Sequence, residues 1–239
     1  MRNRDRVAIT GRMPVTPSSQ CDTGFQPVDN IFKPLNKDAE ILRRSRNLPH
    51  WEQAGCTYFV TFRLADSLPQ AELKKLTEEK EIWLRHHPEP WTVEEWKAYH
   101  RRFTARVQRW LDAGYGSCAL KDPEIGRIVE SALHYFDGDR YFLDKFVVMP
   151  NHVHVLFMPI GGHRLESILH SWKSFTANRI NKRLNRSGTF WMDESFDHVI
   201  RSWEYLERFR EYVRQNPEKA GLRKGRYIQG CGRLGIRRP

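Results

Sequence analysis

Two strand-like segments, roughly Arg140–Met149 and His152–Met158, are separated only by Pro150-Asn151, and this junction narrows the fold more than any other feature. So short a connection makes an antiparallel hairpin, because parallel neighbours need a crossover of a dozen or more residues. A helix-period segment lies on each side. Upstream, Ile125, Ile128, Val129, Ala132, Leu133 and Phe136 recur at helical spacing behind Asp122-Pro123, and Asp137-Gly-Asp139 closes the run. Downstream, Gly161-Gly162 leads into a helix over about 164–184. It is predicted to bury Leu165, Ile168, Leu169, Trp172, Phe175 and Ile180 and to carry Lys173, Lys182 and Arg183 on its other side.

A further strand, Tyr58–Leu64, precedes these elements, and Thr189–Ile200 can supply another. The order is then β-α-β-β-α-β. The expected fold class is α+β, a ferredoxin-like βαββαβ antiparallel sheet with two helices on one face and the other face open for a site. A last helix, about Trp203–Asn216, is predicted to stop at Pro217, which has no N–H to donate. After the first strand, Ser67 with Gln70, and Thr92 with Glu95, read as capping boxes. They open two helices, one running to about Arg85 and one carrying Val93, Trp96, Phe103, Val107, Trp110 and Leu111 as far as Gly114. This is a helical-hairpin insertion over about 67–114. Residues 1–47 lack apolar periodicity and are predicted to be a disordered arm. The domain is expected over 48–222, followed by a basic tail, 223–239.

Charge narrows the class of partner. Forty Lys+Arg against 29 Asp+Glu leave a net charge of +11, which favours polyanions, nucleic acid above all. The excess is clustered. Lys173, Arg179, Lys182 and Arg183 share one segment with few acids, and Arg223, Lys224 and Arg226 open a tail that has none. These seven are candidate DNA contacts. No run of 18 or more apolar residues exists, which argues against a membrane helix, and no apolar stretch follows Met1–Val7 to make a secretory signal. The four widely spaced cysteines fit neither a zinc finger nor a small disulfide scaffold, so a reducing, cytoplasmic setting is expected.

His152-Val-His154 is the most informative tripeptide. Strand residues two apart share a face, so both imidazoles aim at one spot and can form half of a metal site or a pair of ordinary strand histidines. Tyr212 and Asn216, four apart, share a face of the last helix; a tyrosine can act as a covalent nucleophile, and an amide oxygen can bind a metal. Packing is the plainer role for both. The sequence has no phosphate-binding loop, no H-E-x-x-H and no G-x-S-x-G, which argues against nucleotide-driven chemistry and the commonest hydrolase sites. Asp193, Glu194 and Asp197 are the acids nearest to the histidines by topology.

Met149-Pro-Asn-His-Val-His-Val-Leu156 resembles the signature of the HUH superfamily of single-strand DNA endonucleases. More closely, it resembles the REP-associated tyrosine transposases, relatives of the single-tyrosine insertion-sequence transposases. Leu48–Trp51, Thr57–Leu64, Thr189–Phe196 and Tyr212–Leu222 carry the resemblance along about 46–222 in the same order. It implies that His152, His154 and Asn216 hold a divalent metal, Mg²⁺ or Mn²⁺, and that Tyr212 is the catalytic nucleophile. It further implies a bacterial, cytoplasmic, nucleoid-associated monomer or homodimer acting on single-stranded DNA with hairpin-forming repeats. The DNA would be cut and rejoined through a 5′-phosphotyrosine. The alternatives are a replication-initiator or relaxase type of HUH nuclease, and a domesticated, non-cleaving DNA- or RNA-binding regulator.

Overall fold

The structure is a computed structural model that describes residues 32–35, 42–45, 49–88 and 91–234. Strands β1 (Leu42–Ser45) and β2 (Pro49–Glu52) form a two-stranded antiparallel ribbon. The main sheet contains β3 (Tyr58–Arg63), β4 (Tyr141–Val148), β5 (His152–Pro159), β6 (Phe196–Val199) and β7 (Ile228–Cys231), in the order β6-β3-β5-β4-β7. All of its pairings are antiparallel. The expected β-α-β-β-α-β connectivity is present, as is the hairpin at Pro150-Asn151.

Strand alternation divides the molecule into two cores. Tyr58, Val60, Phe62, Val153, Val155 and Phe157 point to the face covered by α4 (Pro123–Tyr135) and α5 (Leu165–Arg183). Phe59, Val147 and Leu156 point the other way, where Leu206 and Val213 of α6 (Trp203–Lys219) lie on them. The open face is therefore half covered by the last helix. The insertion, built from α1 (Gln70–His86), α2 (Val93–Tyr99) and α3 (Ala105–Asp112), packs around its own cluster of Leu76, Trp83, Tyr99 and Phe103.

The local expectations are met in part. Thr92 and Glu95 do form a capping box, with Thr92 N donating to Glu95 Oε2 at 2.8 Å and Glu95 N to Thr92 Oγ1 at 3.2 Å. Ser67 does not cap α1, because its hydroxyl is buried and donates to Leu64 O at 2.7 Å. The second insertion helix is interrupted by a wide turn over His100–Thr104. Phe175, expected in the core, is 50% exposed, and Thr176 is buried instead. Thr176 lies four residues beyond Trp172 and keeps to the buried stripe, with its hydroxyl satisfied by Trp172 O at 2.6 Å and by Trp191 Nε1 at 2.8 Å. The strand expected over 189–200 shrinks to β6 and a bridge from Trp191 to Leu64.

Both flanking segments contribute to the fold. In the expected arm, Leu35 N donates to Ile200 O, Thr57 N to Lys33 O, and Phe32 meets Trp203 edge to face, while β1 falls inside the first 47 residues. Residues 1–31, 36–41 and 46–47 of that arm lie outside the described residues. The expected basic tail supplies β7, which hydrogen-bonds to β4. Gly230 permits this approach, since a Cβ there would stand 2.6 Å from Phe146 Cζ. Helix α6 runs through Pro217 to Lys219 rather than stopping before it. Proline withholds the N–H that the carbonyl four residues back would accept, and Gln229 Nε2 from β7 donates to that carbonyl, Val213 O, at 2.9 Å.

A buried ion pair fixes α6 on the sheet. Arg210 Nε donates to Asp144 Oδ2 at 2.8 Å, while its Nη1 and Nη2 reach Glu207 Oε1 and Leu234 O. Asp144 is fully buried, and burial pushes its carboxyl up to about 6 against the pull of Arg210. Arg210→Met leaves that carboxylate without its partner and should cost about 3–5 kcal/mol at pH 7. A folded-state pKa above the unfolded value of about 3.9 penalises the fold as pH rises between the two. The loss should therefore shrink as pH falls toward 4. Denaturant titrations at the two pH values measure it, and a pH-independent loss would rule out the charge explanation.

Candidate active site

Burial of alternate β5 residues decides where the histidines go. Val153, Val155 and Phe157 take the core face, so His152 and His154 share the opposite face, both fully buried. Arg63 is paired with His152 across the ladder, and Thr61 with His154. Thr61 Oγ1 meets His154 Nδ1 at 2.7 Å. His152 Nδ1 meets Asn151 Oδ1 at 2.7 Å. Asn151 cannot be turned round, because its Nδ2 donates to Leu111 O at 3.2 Å and to Tyr115 O at 3.1 Å. Its oxygen must then accept from His152 Nδ1–H, which leaves His152 Nε2 as a bare lone pair. The two Nε2 atoms face each other at 3.0 Å. Burial lowers His152 to about 3, and burial together with the neighbouring His152 holds His154 well below the usual histidine range, so both rings are neutral.

Helix α6 brings Tyr212 and Asn216 to the same place. The Tyr212 ring stands edge-on to His154, centroids 5.2 Å apart, and edge-on to Phe59 at 5.6 Å. Burial raises its hydroxyl above the ordinary tyrosine range, the charge of Asp112 adds to this, and a hydrogen bond from the Asn216 side chain opposes it. Asn216 is 2% exposed, and its Oδ1 has no hydrogen-bond partner among the described residues. Tyr205, the other tyrosine of α6, is 42% exposed and stacks on His198, away from the histidine pair. Tyr212 thus lies between the pair of neutral imidazoles and Asn216, whose amide oxygen is unpaired. His152 Nε2 and Asn216 Oδ1 offer lone pairs to a cation. His154 Nε2 does so once the proton it donates to His152 moves to Nδ1 facing Thr61 Oγ1, and Tyr212 offers one oxygen nucleophile.

The basic candidates are not gathered there. Lys173, Arg179, Lys182 and Arg183 belong to α5, on the opposite face of the sheet. Lys173 donates to Met192 O at 3.0 Å and Asp193 O at 2.8 Å, and burial lowers its ammonium to about 8, so it pins a loop. Arg179 lies over the exposed Phe175 ring, Lys182 is exposed and Arg183 pairs with Glu124. Arg223, Lys224 and Arg226 are exposed on the turn between α6 and β7. Among the described residues, no group of three or more His, Cys, Asp and Glu side chains gathers. Thr61, Asn151 and Asp112 were not among the residues singled out from sequence. Asn151 had a signal, as the neighbour of His152, whereas Thr61 required the strand register and Asp112 the docking of the insertion.

Residues 119–216 match the family model described as IS200-like transposase, a span from just before α4 to Asn216 that includes both histidines and Tyr212. This part of the chain is similar to the IS200-like transposases. A solved structure of a REP-associated tyrosine transposase bound to a REP hairpin is similar at 16% identity over 77% of each chain, with a TM-score of 0.44. No curated protein matches the chain.

Asn151 carries a testable load. Replacing it by Ala strands Leu111 O, Tyr115 O and His152 Nδ1–H in a buried setting. At about 1–3 kcal/mol for each unpaired group, Asn151→Ala should lose several kcal/mol in chemical denaturation. Asn151→Asp should lose as much, because a carboxylate cannot donate to the two carbonyls. A near-neutral result for both would show that the insertion does not depend on this amide.

Proposed function

We propose that this protein is a metal-dependent single-stranded DNA nicking and rejoining enzyme of the transposase type, with Tyr212 as nucleophile. The observation that carries the reading is the packing of Tyr212 against His154, with Asn216 at its hydroxyl and an unpaired Oδ1 beside it. The similarity of residues 119–216 to IS200-like transposases supports the same class of chemistry.

The donor set fits a divalent cation. His152 and His154 are neutral with facing Nε2 atoms, and the buried Asn216 Oδ1 has no protein partner. These three would hold Mg²⁺ or Mn²⁺, and Asn151 behind His152 is the outer hydrogen bond that orients a ligating imidazole. When bound, the cation supplies Lewis-acid polarisation of a non-bridging phosphate oxygen. The chain's own residues do the rest. Tyr212 presents its oxygen to phosphorus, an O–P bond forms and the bond to the 3′ oxygen breaks. A 5′-phosphotyrosine and a free 3′-OH result, the phenol having lost a proton and the 3′ oxygen having gained one. The covalent link conserves the phosphodiester energy, so rejoining needs no nucleotide. The substrate class is single-stranded DNA beside hairpin-forming repeats.

The test is covalent capture. With Mn²⁺ and a hairpin oligonucleotide bearing a single-stranded flank, wild type should give a denaturant-resistant adduct. Tyr212→Phe should bind DNA normally and give none, and Tyr205→Phe should behave as wild type. Mass spectrometry should place the nucleotide on the peptide containing Tyr212. An adduct that survives in Tyr212→Phe, or one carried by Tyr205, overturns the assignment.

A further inference from the structure

One charged side chain beside the imidazoles plays no part in the chemistry above. Arg63 is the last residue of β3 and is paired with His152 across the ladder. Residues directly opposite in an antiparallel pair project from the same face, with Cβ atoms about 5 Å apart. The face is set by packing. Tyr58, Val60 and Phe62 enter the α4–α5 core, while Thr61, two residues before Arg63, reaches His154. Arg63 therefore flanks the pair on the His152 side, and Tyr212 flanks it on the His154 side.

The guanidinium is half-buried and little engaged. Among the described residues its one hydrogen bond runs from Nη1 to Ser67 Oγ at 3.4 Å, near the outer limit. An arginine has five N–H donors, so most of them are unused. Glu194 is the acid that acts on it electrostatically, offsetting part of the effect of burial. Glu194 Oε1 is itself without a partner, and no Arg63–Glu194 ion pair closes among the described residues. A partly desolvated guanidinium without a two-oxygen partner is costly. A phosphodiester supplies that partner in the planar, bidentate geometry a guanidinium favours.

We propose that Arg63 is a phosphate-binding residue of this site, its guanidinium taking the non-bridging oxygens of a phosphodiester of the bound single strand on the His152 side. The strand is thereby held at one end of the histidine pair while Tyr212 meets it at the other. The inference rests on the nucleic-acid reading of the site, but it does not depend on Tyr212 being the nucleophile.

The experiment uses the full chain and a DNA hairpin with a single-stranded flank in which one phosphate at a time is replaced by a neutral methylphosphonate. Arg63→Gln should bind about ten- to a hundred-fold more weakly, and its plot of log affinity against log salt should be flatter by about 0.7. One methylphosphonate position that weakens wild type should have no effect on this variant. Arg63→Lys should keep the salt slope and recover only part of the affinity, because an ammonium cannot fork. Wild-type slope and wild-type methylphosphonate profile in Arg63→Gln would show that Arg63 only braces the turn at Ser67, and would end the proposal. Thermal unfolding is followed for each variant. If the Gln protein does not fold, the Lys protein decides, and wild-type affinity there overturns the bidentate contact. Every readout is binding, so a missing covalent adduct would count against the nicking mechanism and leave this result standing.

Discussion

The position of α6 depends on one buried pair, Arg210 with Asp144. Apolar contacts of Leu206 and Val213 with Phe59, Val147 and Leu156 hold the helix to the sheet, but such contacts are non-directional and tolerate sliding. The ion pair is directional, and it engages β4, Glu207 on the same helix and the carbonyl of Leu234 together. It thereby sets the register in which Tyr212, with Asn216 one turn on, meets His154. A hydrophobic substitute could match its stability, but it would not specify that register.

Asn151 acts similarly on the other wall of the site. One amide joins the β4–β5 turn, the end of the helical insertion and the tautomer of His152. The insertion is thus part of the site's construction and more than a decoration of the sheet. Burial does the remaining work. It keeps both imidazoles neutral, and so able to act as ligands, and it leaves Asn216 Oδ1 unpaired. An unpaired buried acceptor costs free energy, and the proposed cation would offset that cost.

Much of the fold was legible from local pattern. The hairpin at Pro150-Asn151, the α4 stripe with its Asp122 cap and the capping box at Thr92 all depend on residues within a few positions of one another. Other features were not legible from local pattern. Thr176 displaced Phe175 because Trp191, fifteen residues on, supplies a donor to its hydroxyl. Ser67 left its helix to bond Leu64. The seven basic candidates were chosen by charge density, which does not reveal that four lie on the α4–α5 side of the sheet and that Lys173 is engaged with a loop.

The amino-acid order by itself determined the succession of elements, the apolar side of each strand and the pairing of His152 with His154 on one face, because side-chain alternation and helical period are local properties. Tertiary structure alone decided that α6 continues through Pro217, that the segment after Leu222 becomes an edge strand, and that Asn151, Thr61 and Arg63 surround the histidines. Each of these outcomes needs a partner distant in the chain: Gln229 for the carbonyl that proline leaves bare, β4 for β7, and Leu111 and Tyr115 for the Asn151 amide. A hydrogen bond between remote segments leaves no periodic trace in either of them, and only the folded chain brings its two ends together.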